Sequence, residues 1–189
     1  MWKARRRALT ALIAAVSAAV ALNGAPLLAQ CGGEDESPGR RANVRSSNPL
    51  IANLMADAAL HSATFKGLLA TLASTNGIVH VESGRCGHGA RACLQIWMVA
   101  SGGRRYLRVL VDRQRADSDV DLTGSIGHEL QHAVEALSDA KVIDGTTMYG
   151  FFRRYAPTDN NHFETAAAIT IGNAIRDELR HQSPLARDR

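Results

Sequence analysis

The sequence predicts an α+β domain, and three observations predict it. Apolar residues recur with helical spacing between positions 48 and 74 and again between 162 and 181. Between them lie three short runs rich in β-branched and aromatic residues, Ile78 to Glu82, Leu94 to Val99 and Tyr106 to Asp112. A further amphipathic stretch comes after these runs and carries two histidines four residues apart, His128 and His132. The expected order is an N-terminal helix, a small three-stranded and mainly antiparallel sheet, the histidine helix and a C-terminal helix, with the sheet on one side of the histidines.

Residues 1–29 have the parts of an export signal. Lys3, Arg5, Arg6 and Arg7 form a basic start, Ala8 to Leu22 an apolar run, and Ala25 to Ala29 a cleavage region. The run is only about 15 residues, short for a membrane span, and Asn23, Gly24 and Pro26 prevent its extension. The chain has 22 basic and 18 acidic residues, and the signal alone accounts for the excess of basic charge. With no basic stripe and no aromatic platform in the remainder, nucleic-acid binding is excluded. Residues 30–47 are rich in Gly, Ser and charge and lack apolar periodicity, so a disordered spacer is expected. Leu28-Ala29-Gln30-Cys31 resembles a bacterial lipobox except at Gln30, where a small residue is usual; Cys31 is the one point for a lipid anchor and so for membrane attachment.

The domain then spans 48–189. Ser47-Asn48-Pro49 opens the first helix with a capping side chain ahead of a first-turn proline. Leu50, Leu54, Ala58, Phe65, Leu68 and Leu72 carry its apolar face to about Ser74, and Asn76-Gly77 turns the chain. Ser101-Gly102-Gly103 joins the second and third strands as a hairpin. Cys86 and Cys93 flank a short loop and are expected to pair in an exported protein, a bridge that stabilises by roughly 2–3 kcal/mol. Asp121 to Ser125 offers acceptors at the start of the histidine helix; Ile126, Leu130, Val134 and Leu137 form its core face, and Asp139 with Asp144-Gly145 ends it. The last helix runs from His162 to His181, with Asp159, Asn160 and Asn161 as caps and Ala167, Ile171, Ala174 and Ile175 facing inward. Gly172 costs such a helix about 1 kcal/mol against alanine, a cost that a close helix–helix approach would explain. Pro184 to Arg189 reads as a frayed tail.

The chemistry concentrates in His128-Glu129-Leu130-Gln131-His132. Four residues make slightly more than one helical turn, so both imidazoles project from one face. Two so placed can bind one Zn²⁺, with Glu129 beside them to take a proton from water. Catalytic zinc takes three protein ligands and keeps one position for water. Glu135, Asp159, His162 and Glu164 are the candidates for the third. Glu135 returns to the histidine face, but its backbone lies about 10 Å along the axis from that of His128. Metal bonds are about 2 Å, so Glu135 suits an acceptor behind a ligand, or a solvated acid. Glu164, early in the last helix and followed by small residues, fits best, with His162 and Asp159 as alternatives. Tyr149, Tyr155 and His162 are candidate donors to an oxyanion, and the strand nearest the histidines could pair with an extended substrate.

These residues resemble the zincin metallopeptidases, and within them the gluzincin-like group, where HExxH is followed by a glutamate from a later helix. The likeness rests on His128, Glu129 and His132, and on Glu164 with its small neighbours. It implies a zincin-like fold, zinc held by His128, His132 and Glu164, Glu129 as general base, and peptide or protein substrates. The chain departs from the group at Ala168, where an aspartate is expected four residues after the ligand glutamate. It departs from the metzincins at Glu135 and Ser138, where a glycine and a third histidine would stand. The expectation is an exported zinc peptidase, periplasmic or secreted, or lipid-anchored through Cys31. The alternative is a non-catalytic, zinc-binding interaction protein of the cell envelope with the same fold. Intact Glu129 favours the enzyme, since a purely structural site needs no base.

Overall fold

The end of the expected spacer belongs to the fold. In the computed structural model, which describes residues 42–155, 158–159 and 162–182, Val44–Arg45 forms β1. The export segment, Cys31 and the tail from Pro184 lie outside the described residues. Val44 pairs with Val79 and Arg45 with His80. Asn43 ties β1 down, its side-chain amide donating to Leu72 O at 2.9 Å and Thr75 O at 3.1 Å. A two-residue strand has no periodicity to read, which is why the sequence does not mark it.

The expected first helix is two. α1 (Pro49–His61) starts at Asn48, whose side chain accepts from Leu50 N and Ile51 N. Ser62 is extended, and its hydroxyl caps α2 (Ala63–Ala73) by accepting from Phe65 N at 2.9 Å. The Glu178 carboxylate, from the far end of the chain, accepts from the Ser62 and Thr64 hydroxyls and from Thr64 N. Ile51, Met55 and Ala58 are buried on one helix, and Phe65, Leu68 and Leu72 on the other. The break leaves the apolar stripe in helical phase, so periodicity alone reads it as continuous.

The sheet holds four strands rather than three, and it is mixed. β2 (Gly77–Ser83), β3 (Ala92–Ser101) and β4 (Arg104–Val111) join β1 in the order β1-β2-β4-β3. Both β1–β2 and β2–β4 are parallel; only the β3–β4 hairpin is antiparallel. That hairpin is read correctly from Gly102 and Gly103, which take the positive φ angles (56° and 73°) its turn requires. Local turn chemistry says nothing about where an earlier strand inserts, and β2 docks beyond β4. β3 is left as an edge strand. Val79, Val81, Met98, Leu107, Val109 and Val111 are buried on the sheet's helix-facing side.

α3 (Asp119–Ser138) begins slightly ahead of the expected start. Ser118 caps it, accepting from Asp121 N at 3.1 Å and donating to the Asp121 carboxylate at 2.7 Å. Its other end is held by Arg105 of β4, which donates to Leu137 O, Asp139 O and Val142 O at 2.6, 2.8 and 3.1 Å. Asp144-Gly145 is no mere turn but the start of α4 (Gly145–Tyr155), a helix absent from the expected order. Asp144 Oδ1 accepts from Thr147 N at 2.8 Å while Thr147 Oγ1 accepts from Asp144 N at 3.1 Å, a reciprocal capping box.

A short hairpin comes next, β5 (Thr158–Asp159) with β6 (His162–Phe163), and only then α5 (Ala166–Gln182). α5 thus starts four residues later than expected, and its cap is Thr165, not Asp159 to Asn161. The Thr165 hydroxyl accepts from Ala168 N at 3.1 Å. The inner face is Ala168, Gly172, Ile175 and Leu179, whereas Ala167 is exposed. The close approach expected of Gly172 is present. A Cβ there would lie 3.1 Å from both Gly124 O and His128 Cβ. α5 therefore lies directly against the turn that carries His128.

Cys86 and Cys93 form the expected disulfide, which is compatible with export. Among the described residues no helix is long and apolar enough to cross a membrane.

Candidate metal centre

α3 presents His128 and His132 one turn apart, their rings 4.9 Å between centroids and nearly perpendicular. Glu164 lies between β6 and α5, and its Oε2 is 3.2 Å from His128 Nε2. One ligand atom from each of His128, His132 and Glu164 falls within 4.8 Å of the others, so the group could hold a metal ion. Glu164 is brought to the histidines by the loop ahead of α5, not from inside the helix as the sequence suggests. Asp159 and His162 have described backbones in β5 and β6, but their side chains lie outside the described part.

The chemistry of the donors fits a cation. His132 Nε2 is buried and has no hydrogen-bond partner, an arrangement that is costly unless something else fills the gap. The other ring nitrogen, Nδ1, lies 3.0 Å from Glu135 Oε2. Glu135 Oε1 in turn accepts from Thr165 Oγ1 at 2.7 Å. A carboxylate behind one ring nitrogen and a bare second nitrogen aimed at other donors is the arrangement of a histidine ligand with its supporting acceptor. Glu135 therefore takes the acceptor role rather than that of a solvated acid. Two imidazoles and a carboxylate suit several divalent cations.

Burial, then the neighbouring charge of His132, pushes the His128 imidazole below its usual pKa. Burial works the same way on His132, but the Glu135 hydrogen bond and the charges of Glu129, Glu135 and Glu164 outweigh it and raise the value. Burial alone would raise Glu135; its bonds from His132 and Thr165 hold it below the ordinary carboxylate range.

Glu129 points from α3 toward the edge strand. Its Oε2 accepts from Leu94 N at 2.7 Å. Burial pushes its carboxyl up to about 7, against the opposing pull of His132 and Leu94 N. A cavity of about 180 Å³ has a polar lining of Glu129, His132 and Glu164 and an apolar lining that includes Leu94, Ile96, Phe152 and Phe163. A larger depression of about 610 Å³, bordered by Leu50, Asp57, His61 and Arg113, touches none of the metal group.

The apolar side carries no mark in the motif itself, and sequence reasoning missed it. Phe152 of α4 meets the His132 ring edge-on at 5.5 Å and stacks on Phe163 at 5.6 Å. The spacing Met148, Phe151, Phe152 after Asp144 was the available signal: a cap followed by apolar residues at helical intervals. Tyr149 packs on Phe163 and Tyr155 on Phe151, and neither is among the residues that line the cavity. No protein-family model, curated protein or solved structure matches the chain.

Proposed function

We propose that this chain is an exported zinc-dependent peptidase resembling the gluzincin-like zincins. The observation that carries the reading is the meeting of His128, His132 and Glu164 within 4.8 Å, beside a cavity that also contains Glu129. His128, His132 and Glu164 would hold zinc, which when bound supplies a Lewis acid and a water acidified to a pKa of about 7. Glu129, beside the ligand group, would serve as the proton carrier, taking a proton from water and returning it to the leaving amine. Without metal, burial holds this carboxyl up at about 7, and the positive charge of a bound cation would draw it back toward the ionised form that a base requires. β3 borders the cavity at Leu94 and Ile96, and because Leu94 N is already given to Glu129, pairing of this edge with an extended peptide would require that bond to open. Export through the N-terminal signal agrees with the Cys86–Cys93 bridge. Lipid attachment at Cys31 is the one proposed link to a membrane.

A second reading arises from the Glu129–Leu94 bond. If that bond makes Glu129 a latch between α3 and β3, the site would hold metal without turning over substrate, as an envelope interaction module. Metal analysis of the purified chain beside Glu164→Ala, then peptide-library cleavage beside Glu129→Gln, separates the readings. About one zinc per chain, lost in Glu164→Ala, with cleavage lost in Glu129→Gln, is the expected result. Zinc with no cleavage by the unmodified chain selects the module. No zinc after reconstitution with excess metal sinks both.

A further inference from the structure

Thr165 stands at a junction of three elements. Its hydroxyl accepts from Ala168 N at 3.1 Å, which starts α5, and donates to Glu135 Oε1 at 2.7 Å, on α3. Its neighbour in the chain is Glu164, which reaches His128. A hydroxyl carries one proton. With the helix N–H already directed at its oxygen, that proton is given to Glu135. The second Glu135 oxygen, Oε2, faces His132 Nδ1 at 3.0 Å. An ionised carboxylate only accepts, so a neutral His132 ring must keep its proton on Nδ1 and leave Nε2 bare. Nε2 is the buried atom with no partner.

We infer that Thr165 and Glu135 are positioning residues, a relay that fixes the His132 tautomer and lashes the Glu164 loop to the histidine helix. One hydroxyl thus couples two ligands from distant parts of the chain. Half of the relay, Glu135, lies one turn beyond the HExxH motif; the other half lies beside the third ligand. Neither residue touches the reacting atoms. The inference rests on the metal-holding part of the proposed function and is independent of peptide hydrolysis.

The test uses the purified chain, unmodified and as Thr165→Val, Thr165→Ser, Glu135→Ala and the Thr165→Val/Glu135→Ala double variant. Imidazole nitrogen NMR on the metal-free protein, at a pH above the His132 titration, reads the tautomer directly. Zinc affinity is read by competition with a chromogenic chelator. The unmodified chain and Thr165→Ser should show the Nδ1–H form, and Glu135→Ala should lose it and bind zinc about 10–100-fold more weakly. Thr165→Val should also weaken zinc, by less, and the double variant should be no worse than Glu135→Ala, because Thr165 acts through Glu135. A residue that merely caps α5 would lower thermal stability on removal and leave both the tautomer and the affinity unmoved. That outcome overturns the relay, as does an Nε2–H form in the unmodified chain or strictly additive losses in affinity. If the unmodified chain takes up no zinc, the peptidase reading fails while the tautomers still decide the relay.

Discussion

The two walls of the cavity differ in how they are made. The polar wall, Glu129, His132 and Glu164, comes from one turn of α3 and one loop; Glu129 is tied to Leu94 N, and His132 to Glu135, which Thr165 holds in turn. The apolar wall, Leu94, Ile96, Phe152 and Phe163, is drawn from β3, α4 and β6 and is held by ring packing. Reactive groups must be placed to within fractions of an ångström, which directional bonds achieve. An apolar wall needs only shape and exclusion of water, which packing from several elements supplies. The walls should therefore fail in different ways.

Breaking the polar wall at its base should destroy turnover and little else. Glutamine at position 129 keeps an oxygen for Leu94 N but cannot accept a proton. Peptide hydrolysis is expected to fall about 10²–10⁴-fold in Glu129→Gln, with zinc content unchanged. Elemental analysis beside a cleavage assay reads both, and loss of metal together with activity would count against a proton-transfer role.

Breaking the apolar wall should act first on the fold. Phe152 is almost fully buried and touches His132, Phe151 and Phe163. Phe152→Ala should cost about 3–5 kcal/mol, read as a lower urea midpoint at unchanged slope. Weaker zinc binding would result from a loosened His132. Weaker zinc at unchanged stability would show instead that the rings serve the ligand and not the core.

The same contrast explains what the sequence could say. The HExxH residues are legible because one helical turn guarantees their common face, and Glu164 because a carboxylate ahead of small residues suits a neighbouring helix. The Glu135 acceptor role could be stated only as one of two options, since the group that anchors it, Thr165, comes from 30 residues away. α4 was hidden by Asp144-Gly145, a pair that serves a turn or a helix cap equally well. The parallel joining of β2 to β4 left no mark, because register between strands separated by a hairpin is decided by packing. The break at Ser62 depends on Glu178, more than a hundred residues along the chain.

The burial of Glu129 can be weighed by pH. Unfolded, its carboxyl ionises near 4.5; folded and metal-free, near 7. Below the first value both states hold the proton and Glu129 has no effect. Between the two values only the unfolded chain has released it, so stability falls as pH rises, and the loss is complete above about 7. The full penalty is on the order of 3 kcal/mol. Metal-free Glu129→Gln should therefore match the unmodified chain at acid pH and exceed its stability at about pH 8, read by denaturant titration. Parallel pH curves would mean that Glu129 is solvated and that the polar wall is open to water.

The smallest expected effect on stability makes the sharpest distinction between fold and site. In Gly172→Ala the new Cβ would lie 3.1 Å from Gly124 O and from His128 Cβ, so the two helices must part by a few tenths of an ångström. Crowding of this kind costs about 1–3 kcal/mol, while alanine gains the helix about 1 kcal/mol over glycine. The net loss should be about 1 kcal/mol, small for a buried position. Metal ligation is less forgiving, with distances tolerated to roughly ±0.2 Å, and one of the two displaced atoms belongs to a ligand. Zinc affinity should fall several-fold, more than the change in stability suggests. Gly67→Ala is the control: it lies inside α2 with nothing within 4 Å of its Cβ, and should gain about 0.5–1 kcal/mol with zinc affinity unchanged. Equal zinc affinity in Gly172→Ala would show that the helix contact sets only the fold, and that His128 finds its place through Glu164 alone.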